Sequence, residues 1–277
     1  MSKRSRRTFQ QLVTLPDGAI PLVEAALLMA SEEYPQLEIG PYLDRLDEIA
    51  GAARLQVEGT ATPVEKVIAI NDVLFNRYGF RGNTDDYYDP RNSFLNDVID
   101  RHLGIPITLS AIYIEISRRL DFAIQGVGLP GHFIVKYSDR NEEFFIDPFK
   151  AGALLTISDC RQFIRDNFGP SFEFSQRMVA RVTNRQILWR MLNNLKKIYV
   201  DSKSFDKGLT IVDMMLMVEP DDIDQYRDRG LIRIQLRQFE GAVKDLEHYV
   251  KNTQESRERG TAEDQLRELR RIHAMMN

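Results

Sequence analysis

Two side chains in this sequence have the types and the spacing to work as a pair: His132 and Asp147. An imidazole bonded to a carboxylate is the unit general-base catalysis uses, because the carboxylate fixes the tautomer and leaves the second ring nitrogen as base. A hairpin accounts for the spacing. Extended segments over about 132–137 and 143–147, joined by the turn Ser138-Asp139-Arg140-Asn141, place Asp147 opposite or diagonal to His132. Gly131, next to the imidazole, leaves backbone open to the close approach of a bound chain. Hydroxyls stand upstream at Thr108 and Ser110, and either would need a base within about 3 Å to attack a carbonyl. Without catalysis, the same pair is a hydrogen bond tying two strands together.

The segment that carries the hydroxyls is itself unusual. From Pro106 to about Asp121 it reads as a helix with Leu109, Ala111, Ile112, Tyr113, Ile114, Ile116 and Leu120, and Glu115 is its only charge before Arg118 and Arg119. A helix apolar nearly all round belongs inside a domain. Pro106 suits its first position, where φ is already helical and no N–H is needed.

Ahead of it, periodicity predicts helices over about 17–33 and 41–55. A third starts at Thr62-Pro63-Val64-Glu65, a capping box, and stops at Gly79. The stretch 81–91, with Asp85, Asp86 and Asp89, lacks the alternating ligands and turn glycine of a calcium loop and reads as solvated. Asn92-Ser93 would cap a short helix to His102, ended by Gly104. Strands are expected over 123–128, 132–137 and 143–147, and a helix after Ser158.

In order and spacing, Gly104-Ile105-Pro106, Gly131-His132-Phe133 and Phe145-Ile146-Asp147-Pro148 resemble the papain-like transglutaminase core. In that core a Gly-x-Cys opens a buried helix, a His sits on the next strand and an Asp on the one after. The resemblance places the nucleophilic cysteine at Pro106, which cannot attack anything, and Ser110 matches a small residue of the family's helix. It implies a pseudoenzyme with vestigial His132 and Asp147, a vacant nucleophile position at Pro106, and a candidate pocket of Thr108, Ser110, Gly131, His132 and Asp147. Cys160, the single cysteine, reads as a bystander beyond the Asp147 strand.

From about Gln186 the chain is wholly helical and matches itself at an offset of about thirty-four residues. Leu192 aligns with Tyr226, Ile198 with Ile232, Phe205 with Phe239, Gly208 with Ala242, and Val212 with Leu246. Pro220 falls where a tetratricopeptide unit ends. Gly230 and Ala242 supply the small residues that let paired helices approach. A last helix over about 262–275 looks like a cap. Two repeats bury little by themselves, so they are expected to dock on the first domain or on another subunit.

The full pattern, also carried by Gly128-Leu129-Pro130 and Ile146-Asp147-Pro148-Phe149, resembles the transglutaminase-like branch of the bacterial SirB family. The expected fold class is α+β: a papain/transglutaminase-like core with a small antiparallel sheet, then an all-α tetratricopeptide-like region. The expected divisions are a flexible basic tail at 1–16, a transglutaminase-like domain at 17–177 and the repeats at 178–277.

Composition narrows the partners. The 277 residues carry a formal net charge of −4, giving no reason to expect nucleic acid or an anionic membrane. The apolar stretch 19–30 is too short to span a bilayer. Four histidines without metal-ligand spacing argue against a zinc site, and no cofactor is expected. A lone cysteine fits a cytoplasmic home. The function expected is a non-catalytic protein-interaction or regulatory module with a protein or peptide partner. The alternative is an amide or peptide hydrolase using His132 and Asp147 with Ser110, Thr108 or water.

Overall fold

In a computed structural model of the chain, which describes residues 3–254 and 256–276, two compact units divide between Leu188 and Trp189. The fold is α+β, as expected, with the small sheet confined to the first unit.

That unit opens with α1 (Lys3–Val13), α2 (Leu22–Ala30), α3 (Gly40–Val57) and α4 (Pro63–Asn71). The basic N-terminus is therefore not a frayed tail over its described residues: Phe9 and Val13 of α1 are fully buried. Helix α2 is shorter than the periodicity suggests. A 3₁₀ turn at Asp17–Ala19 precedes it, and Pro21 is its N-cap. The Thr62–Glu65 capping box is formed, each side chain taking the other's backbone N–H. Past Asn71 the helix widens into a π-helical segment, Asp72–Arg77, before Gly79 turns the chain at φ +73°.

The stretch after Gly79 departs most from expectation. β1 (Arg81–Gly82) pairs in parallel with β2 (Leu103–Gly104), and α5 (Leu95–Arg101) lies between them. Helix α5 has Phe94 as N-cap and ends on His102 in the left-handed region, not on Gly104. Asn92 does not cap it. Its amide donates to the Asp86 and Tyr87 carbonyls and accepts from Asn83, which closes the 83–92 loop on itself. Asp89, read as a solvated acid, is buried and held by Arg91 and Arg101.

α6 (Pro106–Arg119) is buried along most of its length, as its composition demands. Its one interior charge, Glu115, accepts from Arg118 and Arg119, so the carboxylate leaves water already paired. Around α6 wraps a four-stranded antiparallel sheet in sequence order: β3 (Ile124–Val127), β4 (Ile134–Ser138), β5 (Glu143–Asp147) and β6 (Ala153–Leu155). β6 is a strand the sequence did not announce. α7 (Ile157–Phe168) follows, capped by Thr156 rather than Ser158 through a capping box with Asp159. Cys160 and Ile164 of α7 share a core cluster with Val127, Leu129, Ile134, Phe145 and Val179.

The second unit is all-α. Helix α8 (Asn184–Asp201) enters it, followed by α9 (Phe205–Val218), α10 (Ile223–Gln235), α11 (Phe239–Asn252) and α12 (Ser256–Met276). The small residues act as expected: a Cβ on Gly230 would sit 3.0 Å from the Leu246 side chain, so glycine there lets α10 and α11 approach without displacing that leucine. Leu266 and Leu269 of α12 pack with Ala242 and Leu246, which closes the end of the stack. A buried carboxylate, Asp245, takes two hydrogen bonds from Arg229 and one from Arg233. Among the described residues no helix is long and apolar enough to cross a membrane.

Candidate functional site

The His132–Asp147 hydrogen bond is formed, with Nε2 2.9 Å from Oδ2. Hairpin register explains how. Val135 opposes Ile146, so the same antiparallel register brings Asp147 level with the first residue of β4 and diagonal to His132. His132 lies two residues ahead of β4, however, not on it. Gly131 at φ +70° turns the chain there, and the His132 N–H donates to the Leu129 carbonyl at 3.2 Å.

Asp147 is 1% exposed and its two oxygens have separate duties. Oδ1 accepts the Phe149 N–H at 3.1 Å and caps the 3₁₀ turn Pro148–Lys150, while Oδ2 faces the imidazole. An ionised carboxylate only accepts, so with a neutral ring the proton lies on Nε2 and the lone pair on Nδ1. That is the tautomer a general base needs.

Aromatic rings enclose the imidazole. Phe149 meets it edge-on at 6.1 Å and Phe163 lies 5.1 Å away. The place of Phe149 is set by the β1–β2 ladder: a Cβ on Gly82 would fall 2.5 Å from its ring, so the ring rests on bare backbone. A second tie comes from α4. Asn71 Nδ2 donates to the Gly152 carbonyl at 2.8 Å, and the Gly152 N–H donates back to Asp147 O at 2.9 Å. Gly131 does not stand open to a visiting chain as the sequence suggested. The Phe168 ring would lie 3.2 Å from a Cβ there.

Pro106 begins α6 and is buried, and nothing at that position can attack. Thr108 is not a free hydroxyl: its Oγ1 accepts the Ile105 N–H and donates to the Asn92 carbonyl at 2.8 Å, which satisfies an orphan donor at the helix start. A Cβ on Gly104 would meet that same oxygen at 2.8 Å. Ser110 is fully buried and its Oγ has no hydrogen-bond partner, a state it shares with Tyr113 and Ser117 on α6.

Cys160 is also fully buried. Burial first, then the nearby Asp159 and Asp147 charges, push its thiol up to about 11. Because the thiolate is the reactive form, Cys160 is expected to react with iodoacetamide at pH 8 at least ~10-fold more slowly in the native chain than in guanidinium. Equal rates in the two states would show an accessible thiol and contradict this placement. Among the described residues no group of three or more His, Cys, Asp or Glu is placed to hold a metal ion.

The feature the sequence left unremarked is the aromatic wall of Phe149, Phe163 and Phe168. One phenylalanine in a 3₁₀ turn and two on an amphipathic helix carry no periodic signal that would join them, and only the fold brings them to one place.

Comparison with known proteins agrees with the two-part fold. The transglutaminase-like superfamily pattern matches residues 41–193, and a tetratricopeptide repeat pattern matches 195–271. A UPF0162 protein of Xylella fastidiosa is 37% identical over 246 residues, covering 87% of each chain. The Salmonella typhimurium protein SirB1 is 25% identical over 234 residues, covering 83% of this chain and 86% of that one. Mouse F-box only protein 21 is 29% identical over 167 residues, which are 56% of this chain but 26% of that protein. No solved structure matches.

Proposed function

This chain belongs to the transglutaminase-like superfamily, in the two-part form shared with UPF0162 and SirB1 proteins, and on that premise we propose that it is a non-catalytic, cytoplasmic interaction or regulatory module. One observation carries the proposal. The buried helix that presents the nucleophile in the family pattern opens here with Pro106, and the nearby groups do not replace a thiol. Thr108 is spent on the helix start, Ser110 is sealed from solvent, and Cys160 is buried with its pKa raised. The His132–Asp147 pair then serves as architecture for a binding surface, and the repeats supply a second one.

The tetratricopeptide match supports a protein or peptide partner over a small molecule. The 167-residue block shared with F-box only protein 21 is about a quarter of that chain, which fits a block used as one part of different assemblies.

The formed dyad favours one other function, an amide or peptide hydrolase with His132 as base and water or a hydroxyl as nucleophile. Incubation of the purified chain with a fluorogenic peptide-amide library, and with glutamine peptide plus a primary amine, separates the two. The proposal expects no turnover above that of His132→Ala. Turnover abolished by His132→Ala in a variant that keeps its far-UV dichroism establishes the hydrolase and ends the proposal.

A further inference from the structure

Beside the His132 turn lies a surface that the dyad does not use. Phe168, the last residue of α7, covers Gly131 and packs on Phe172 with ring centroids 5.0 Å apart and the planes tilted by 35°. Both rings remain exposed, at 43% and 39%. Phe172 in turn lines a cleft of about 340 Å³ with Arg161, Arg165, Pro170, Glu173 and Phe174. Arg161 and Arg165 are one helical turn apart on α7 and both exposed. Among the described residues neither guanidinium has an ion-pair partner. Arg161 lies over the Phe174 ring at 5.2 Å instead. The acids of the same region are occupied or outnumbered. Asp159 caps α7, Asp166 accepts from Gln162, and Glu173 is the one carboxylate in the cleft, against two guanidiniums.

Two exposed rings packed on each other, next to two guanidiniums without an ion-pair partner among the described residues, make a surface with defined complementarity. The rings want apolar cover, and the guanidiniums want a carboxylate, which an arginine fork can hold by two parallel hydrogen bonds. Spacing adds a constraint. From Phe168 back to Arg165 and Arg161 is three and seven residues of helix, or about 4.5 and 10.5 Å at 1.5 Å per residue. An extended peptide reaches the midpoint of the two arginines in about two residues and Arg161 in about three.

We propose that this face binds an acidic peptide segment of a partner protein, with an aromatic or leucine side chain over Phe168–Phe172 and a carboxylate two to three residues away on Arg161 and Arg165. The proposal rests on the interaction-module function and names the chemistry of its partner. Docked there, the peptide lies on the outer side of Phe168, whose inner side covers Gly131, which gives the retained dyad a role: it holds the turn on which the Phe168 ring rests.

The test is a selection of random twelve-residue peptides on the full chain, followed by fluorescence anisotropy of the enriched peptides. The expected result is enrichment of Asp or Glu two or three residues from Phe, Tyr, Trp or Leu. Affinity should fall at least ~10-fold in Arg161→Glu/Arg165→Glu and at high salt. Both arginines are exposed, so the variant is expected to keep the wild-type melting temperature, and Phe168→Ser gives an independent loss through the apolar half. Enrichment of basic or purely apolar peptides overturns the proposal, as does binding indifferent to all three substitutions. Neither outcome touches the non-catalytic function, which fails only on turnover in the hydrolysis assay.

Discussion

Asp147→Ala is expected to destabilise the first unit by about 3 kcal/mol, since hydrogen bonds to a charged group contribute about 1.5–3 kcal/mol each and two are lost here. The carboxylate is buried, and its removal strands the Phe149 N–H and the His132 Nε2–H away from water at the same time. Asp147→Asn keeps the shape and one acceptor oxygen, so it should cost roughly half as much. Denaturant unfolding followed by hydrogen exchange at β4 and β5 measures the loss where it belongs. The sole tryptophan, Trp189, lies in the second unit, so its fluorescence serves as a reporter of the other part of the chain. A double-mutant cycle with His132→Ala should return a coupling above about 1 kcal/mol, as bonded buried neighbours do. A loss under 1 kcal/mol for Asp147→Ala would mean that the pair does not hold the hairpin to the turn.

The second large effect is a gain. With Cys160 replaced by serine, Pro106→Cys is expected to produce a thiol reactive near neutrality. A cysteine at a helix N-terminus next to an imidazole titrates between about 3.5 and 7.5 instead of near 8.5. At pH 6.5 its alkylation by iodoacetamide should exceed that of an ordinary thiol at least ~10-fold, and His132→Ala in the same background should remove most of the advantage. The helix itself should survive, because proline at its first position contributes a preset φ and no hydrogen bond. A thiol that titrates near 8.5 and ignores His132→Ala would show that Pro106 is not the nucleophile's position. A thiol inert at every pH would show that the position has no open face.

Much of the site was legible before any coordinates. Hairpin register is arithmetic, and it brought Asp147 to His132 from the turn at 138–141 alone. The buried helix after Pro106 was legible because nothing in it could face water. What escaped was structure too short to carry a period. β1, β2 and β6 are two or three residues long, so no alternation marks them, and the parallel β1–β2 pair forms only because α5 returns the chain to it. Asn92 misled for a different reason. A side-chain amide before a helix reads as a cap, but the Asn92 Oδ1 that would accept a helix N–H accepts from Asn83 instead, its Nδ2 donates to the Asp86 and Tyr87 carbonyls, and Phe94 starts the helix. His132 sits outside its strand because Gly131 adopts φ +70° in the turn before it, and the extended run begins only at Ile134.

The division of labour at Asp147 also bears on how such a chain changes over time. One carboxylate caps a turn and anchors an imidazole, so substitution there costs stability even where no substrate is turned over. Loss of a nucleophile at the start of α6 removes a reaction and leaves the architecture intact. Loss of Asp147 removes the architecture. A chain without that chemistry would therefore still need its histidine and aspartate to fold, and the pair by itself is a mark of architecture before it is a certificate of activity.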